Sequence, residues 1–458
     1  MAEVQGTCEP RFDGVRAVLA DQLDSGADLG ASVAVFLRGE PVVDIWGGWA
    51  DADKTRLWER DTLTNVWSTT KTMTFLVTLM LHDRGELDYH TPVATYWPEF
   101  AQAGKEHIEV RHIMGHTAGL SGWEEPLSAE DLADWERCTS RLAAQAPWWE
   151  PGTASGYHAL TQGYLIGEIV RRITGDTIGT WFAREVAKPL EADFFIGLPA
   201  SEDDRVSNVI PPPPIDVAAM GNQVGELMIK TFMNPPIDAT MAHHSWWRRA
   251  EIPAANGQGN ARSVAAIQSV VAGKGAARGV RLLSGEGTEP IFEVQADGID
   301  KVLGIRQRIG MGYGLSNPPD LPLGPRACYW GGYGGSIIVV DQDAELAVCY
   351  VMNRMESGVT GDLRGMNILM ETVKGLTAEP SGITASASIS TFQAASSKAA
   401  TTTIVAAGRT VPNSSPCTLP TASAYSGAVM YIRVRTTSRS DAPTSPSAVS
   451  MISKHRRA

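Results

Sequence analysis

The chain has 458 residues, 43% hydrophobic and 20% charged, which is enough for one large core with an inserted subdomain or for two domains. Its 39 Lys and Arg against 51 Asp and Glu give a formal net charge of −12, which argues against nucleic acid as a partner because an acidic chain repels phosphate backbones. No apolar run reaches the roughly eighteen residues of a membrane span, and no apolar segment follows a basic start in the opening residues. Cys8, Cys138, Cys328, Cys349 and Cys417 form no Cys-x-x-Cys pair, so free thiols and a cytoplasmic location are expected.

In chain order, a helix is expected over residues 11–23. Two β-rich runs follow, Ala31-Ser32-Val33-Ala34-Val35-Phe36-Leu37 and Pro41-Val42-Val43-Asp44-Ile45-Trp46, around Arg38-Gly39-Glu40; they predict an antiparallel hairpin. The stretch from about 55 to 300 reads as mainly helical and loop-rich. Residues 335–341 and 345–352 predict a second hairpin turning at Asp341-Gln342-Asp343-Ala344, and 366–376 a closing helix. The expected fold class is α+β, an antiparallel sheet flanked by helices plus a helical subdomain at roughly 80–300.

The composition changes near residue 376. From 380 to 458 there are eight Lys and Arg against the single acid Asp441, so this stretch carries +7 and leaves −19 for the rest. Residues 377–458 are rich in Ser, Thr and Ala without periodicity, so this basic tail is expected to be disordered, with one short strand at Met430-Tyr431-Ile432. The folded domain is then 1–376.

Ser68-Thr69-Thr70-Lys71 opens an apolar run, Thr72-Met73-Thr74-Phe75-Leu76-Val77-Thr78-Leu79-Met80-Leu81, that predicts a buried helix ending near Gly85. Three residues along a helix share a face, so the Lys71 amine comes within reach of the Ser68 hydroxyl. A lysine desolvated at the positive end of a helix loses its preference for the charged form and can act as a base. That combination activates a hydroxyl as a nucleophile without a histidine. Ser-x-x-Lys arises by chance about once or twice in a chain this long, yet of the ten lysines only Lys71 has a serine three residues before it.

Other constellations carry less. His112 and His116 have the i,i+4 spacing of metal ligands, but no His-Glu-x-x-His or third ligand accompanies them, so bonding to backbone is expected. His243-His244, near Trp246-Trp247, are expected in a loop bordering the pocket. Asn256 precedes an expected helix and is a candidate pocket-lining residue. The Gly-x-Ser-x-Gly elbow is absent, and residues 331–335 lack the Gly-Lys of a phosphate loop.

The landmarks follow one another in order: the hairpin of 34–46; Ser68 to Lys71; Leu87-Asp88-Tyr89-His90-Thr91-Pro92-Val93; Tyr96-Trp97-Pro98-Glu99-Phe100; Ile113-Met114-Gly115-His116-Thr117-Ala118-Gly119-Leu120; Pro151-Gly152 with Gly156-Tyr157-His158-Ala159; and Trp330-Gly331-Gly332. From about 11 to 376 this succession resembles the β-lactamase-related serine hydrolases, most of all the family VIII carboxylesterases, relatives of class C β-lactamases and D-Ala-D-Ala peptidases. The resemblance implies the β-lactamase/transpeptidase-like fold, with Ser68 as nucleophile, Lys71 as its partner and Tyr157 sharing the base role and protonating the leaving group. It implies an oxyanion hole of the Ser68 and Tyr333 backbone N–H groups, and substrate binding around Trp330, Gly331 and Gly332. His158 enters as a second candidate pocket-lining residue. No metal or organic cofactor is required.

Two departures bear on substrate. Trp330-Gly331-Gly332 stands where β-lactamases carry Lys-Thr-Gly, and Tyr157-His158-Ala159 lacks their third-position asparagine. No Ser-Asp-Asn triplet occurs either. The reading is a carboxylesterase acting on small-molecule esters through a Ser68 acyl-enzyme. An acyltransferase, an amidase, D-aminopeptidase or weak β-lactamase, and a non-catalytic binding relative are the alternatives.

Overall fold

A computed structural model describes residues 3–213, 225–318, 321 and 323–377. Nine strands form one sheet: β1 (Val4–Cys8), β2 (Gly30–Leu37), β3 (Glu40–Gly48), β4 (Ala296–Ile299), β5 (Arg306–Ile309), β6 (Gly314–Leu315), β7 (Ala327–Gly331), β8 (Ile337–Asp341) and β9 (Leu346–Met352). Their spatial order is β1-β3-β2-β9-β8-β7-β6-β5-β4, every pair antiparallel. Strands early and late in the sequence therefore meet in the middle of the sheet, where β2 pairs with β9 from Leu37↔Leu346 to Ala31↔Met352.

Both expected hairpins are present for local reasons. Arg38 and Gly39 both take positive φ (53° and 81°), the backbone a tight two-residue turn requires between right-twisted strands. In the second, the Asp341 carboxylate accepts from the N–H groups of Asp343 and Ala344 and closes the turn. An antiparallel strand usually alternates buried and exposed side chains, but β9 is buried at every position. Both faces of the sheet are covered, by α1 (Asp13–Ser25) and α6 (Leu363–Thr377) packed together and by α5 (Ala261–Ala272).

Between the sheet's two halves in sequence run α2 (Lys71–Asp83), α3 (Trp135–Ala144) and α4 (Thr161–Thr174). Residues 71–81 of α2 are all buried, and the helix is followed by Gly85 at φ 73°, as its all-round apolar character predicts. The expected span 11–23 became a 3-10 turn, Pro10–Phe12, and α1, which stops at Gly26 in the left-handed conformation. The sequence reading missed β1 and β4 to β7. These strands are short, several are half-exposed, and β4 falls inside the stretch read as helical. Among the described residues no helix is long and apolar enough to cross a membrane. The expected disorder and the strand at 430–432 lie outside the described residues.

Candidate active site

A 3-10 turn, Trp67–Thr70, leads directly into α2 and puts Ser68 at its mouth. Trp67 sits at φ 50°, a conformation that costs a bulky residue about 1–3 kcal/mol and persists only where the surroundings over-determine it. Here they do. The Trp67 ring is held 5.6 Å from both Trp247 and Tyr333. The Val66 carbonyl accepts from Ser336 Oγ at 2.9 Å, and the Val66 N–H donates to Gly257 O at 2.9 Å. The turn is thus pinned between the loop after β7 and the segment before α5.

Three side chains converge. Tyr157 OH lies 2.7 Å from Ser68 Oγ, Lys71 Nζ lies 3.2 Å from Ser68 Oγ, and Lys71 Nζ lies 3.1 Å from Tyr157 OH. Lys71 Nζ also donates to Ala159 O at 2.7 Å and Ala254 O at 3.0 Å. No carboxylate among the described residues faces Lys71, and burial pulls its pKa well below the ordinary lysine value. A neutral amine has two N–H groups, which those two carbonyls take, and one lone pair, which is left for the hydroxyl protons. Burial raises the Tyr157 pKa, opposed by the Ser68 hydroxyl and the Trp330 indole, so this phenol keeps its proton at neutral pH. The arrangement can move a proton among three atoms without passing through water.

The Ser68 and Tyr333 N–H groups make no hydrogen bond to the described residues, as donors awaiting a ligand oxygen would. The end of β7 reaches them because Gly332 N–H bonds Ser336 O at 2.7 Å while Ser336 Oγ meets Thr69 Oγ1 at 3.0 Å. A Cβ at Gly332 would stand 2.4 Å from Val66 O, so only glycine allows this approach. Trp330 is 5% exposed, stacked on His116 at 5.5 Å and set edge-on to Phe75 at 5.7 Å.

The pocket-lining expectations for His158 and Asn256 need correction. Both are fully buried with their polar atoms bonded to backbone: His158 accepts from Leu120 N–H and meets Gly156 O, while Asn256 donates to Trp247 O and Ala250 O and accepts from Ile252 N–H. They staple loops behind the site. His112 accepts from Glu109 N–H and His116 from His158 N–H, so the i,i+4 pair bonds backbone. His243 meets Val209 O. The carbonyls of Ala159 and Ala254 were missed, because a backbone acceptor carries no side-chain signature. Two surface clefts, of about 520 Å³ beside His82 and Glu293 and about 690 Å³ beside Arg60 and Arg262, include none of Ser68, Lys71 and Tyr157.

Comparison with known proteins bears on this geometry. Residues 15–370 match the family described as Beta-lactamase. A Mycobacterium tuberculosis protein named Esterase/beta-lactamase LipL is 35% identical over 366 residues, covering 77% of this chain and 84% of the relative. Among solved structures, one described as a family VIII carboxylesterase is 39% identical with a TM-score of 0.77, covering 81% of this chain and 100% of its own. A penicillin-binding protein homolog from Caulobacter crescentus is 35% identical with a TM-score of 0.73, at the same coverages.

Proposed function

Because the chain belongs to the β-lactamase family, we propose that it is a serine carboxylesterase that hydrolyses small esters through an acyl-enzyme on Ser68. The observation that carries this reading is the contact of Ser68 Oγ with a buried lysine amine at 3.2 Å and a phenol at 2.7 Å, with no carboxylate among the described residues to hold the amine charged. As Ser68 Oγ attacks the ester carbonyl, its proton passes to the Lys71 lone pair, and the developing oxyanion takes the Ser68 and Tyr333 N–H groups. Tyr157 OH donates its proton to the departing alkoxide and recovers one from Lys71. Water then attacks the acyl-enzyme, giving a proton back along the same route, and Ser68 leaves with its hydroxyl restored.

Trp330, in place of a cation, supports neutral esters over the carboxylate-bearing ring of a β-lactam. The description of one solved relative as a family VIII carboxylesterase supports the same choice, while the name Esterase/beta-lactamase LipL supports ester hydrolysis without deciding between the two. The catalytic unit is residues 1–376. The four cysteines among the described residues are free thiols, which supports a reducing compartment such as the cytoplasm.

The test is turnover of p-nitrophenyl butyrate by the protein and by Ser68→Ala, with nitrocefin in parallel. Ester turnover that vanishes in the variant, with nitrocefin slow, is expected. Equal rates for both proteins would remove Ser68 from its role. Nitrocefin turned over faster than the ester would make the chain a β-lactamase.

A further inference from the structure

Tyr157 is held in place through its backbone. Three successive N–H groups are each bonded: Gly156 N–H to His116 O at 2.9 Å, Tyr157 N–H to Asp300 Oδ1 at 3.0 Å, and His158 N–H to His116 Nδ1 at 3.0 Å. Ala159 O, the next group along, accepts from Lys71 Nζ. His116 therefore grips the residues on both sides of the tyrosine, one with its carbonyl and one with its ring. The same ring lies 5.1 Å from the Tyr157 ring and stacks on Trp330 at 5.5 Å and 18°.

We propose that His116 is a positioning residue for Tyr157, its Nδ1 acting as a fixed acceptor that aims the phenol at Ser68 and Lys71. The inference rests on the reading of Tyr157 as the proton carrier for Ser68. Two further observations favour it. His116 stands at φ 59°, a left-handed conformation that few non-glycine residues adopt, although histidine enters it more readily than most. Its Nε2 is buried with no partner among the described residues, so the Nδ1 contact is the one hydrogen bond that ties the ring to them. The role requires the neutral ring, because a proton on Nδ1 would face the His158 N–H. The groups around it agree: burial foremost, then His158 and Lys71, pull the His116 pKa well below that of free histidine.

The experiment is a double-mutant cycle on kcat and KM for p-nitrophenyl butyrate. His116→Gly accepts φ 59° without strain and removes the acceptor; His116→Gln, whose oxygen lies one bond past the Nδ1 position, replaces it if the cavity prevents folding. His116→Asn returns an acceptor near the Nδ1 position and tolerates the left-handed backbone. The loss variant should lower kcat about 10–100-fold with KM within about 2-fold, as a misplaced group does. Asn should recover most of the rate. In a Tyr157→Phe background the loss variant should cost nothing further, because the residue it aims is already gone. A fast loss variant beside a slow Tyr157→Phe overturns the positioning role alone, as does an equal loss in both backgrounds. A fully active Tyr157→Phe overturns the reading of the tyrosine and, with it, the purpose of the clamp.

Discussion

Two buried lysines show why their surroundings decide what an amine can do. Lys105 Nζ donates to the carbonyls of Gln102, Ala143 and Gln145, one for each proton of an ammonium, and burial lowers its pKa to about 8. Lys71 has two carbonyls and two hydroxyls, so its third position faces groups that can give it a proton. Replacing Lys71 by Arg or Met should therefore lower kcat about 10²–10⁴-fold, the usual worth of a positioned base, with Arg giving no rescue because a guanidinium does not deprotonate. The competent amine is neutral, so kcat/KM should fall as pH drops through the depressed Lys71 pKa and should level off above it, well below the pH at which free lysine titrates. That limb should survive in Tyr157→Phe. A pH profile that is flat in the wild type, or an active Lys71→Arg, would show that another base serves Ser68.

At the scale of elements, the site exists because the end of β7 comes up against the turn before α2. Gly332→Ala tests that contact. The added Cβ would meet Ser336 Oγ at 2.3 Å and Val66 O at 2.4 Å, so the strand end must withdraw and take the Tyr333 N–H with it. Loss of one oxyanion donor is worth about 10²–10³ in kcat, and that fall, with the melting temperature little changed, is the expected result of steady-state kinetics beside calorimetry. Unchanged kcat would place the oxyanion elsewhere.

The same elements show what could be read from residues alone. The two hairpins were legible because Arg38-Gly39 and the Asp341 turn are local chemistry, and α2 was legible from apolar residues on every face. Ser68 and Lys71 followed from a three-residue spacing, while Tyr157 and Trp330 came only from the family resemblance. The strands β4 to β6, of four, four and two residues, are too short to show a period. The carbonyls of Ala159 and Ala254 and the Asp300 carboxylate are brought to the site by long-range packing that no local pattern encodes. His158 and Asn256 misled because a polar residue beside a motif looks like a ligand; here both satisfy buried backbone.

For the whole molecule, the buried titratable groups set how stability depends on pH. Burial lowers the His158 pKa to about 3, and His116 is also lowered, whereas the unfolded chain takes up these protons near pH 6.5. For His158 the unfolded state thus binds more protons between about pH 6.5 and 3, which removes about 1.4 kcal/mol of stability per pH unit across that window, and His116 acts in the same direction. Asp28 acts the other way. Buried just before β2, it accepts from Tyr350 OH on β9 at 2.6 Å and Arg364 Nη1 on α6 at 2.9 Å, and burial raises its pKa from 3.8 to about 6. Between those values the folded form holds a proton the unfolded chain has released, which offsets one histidine. Urea unfolding should show stability falling from pH 6.5 toward 4, and falling more steeply in Asp28→Asn. Stability that rises on acidification would contradict the neutral assignment of the two histidines.

The most direct test of the account is to quench the protein during turnover of p-nitrophenyl butyrate and map the acyl group by peptide mass spectrometry. The account predicts a butyryl group on the peptide of residues 61–71, at Ser68, and none in Ser68→Ala. Steady turnover with that peptide unmodified and the acyl group on another residue would contradict it.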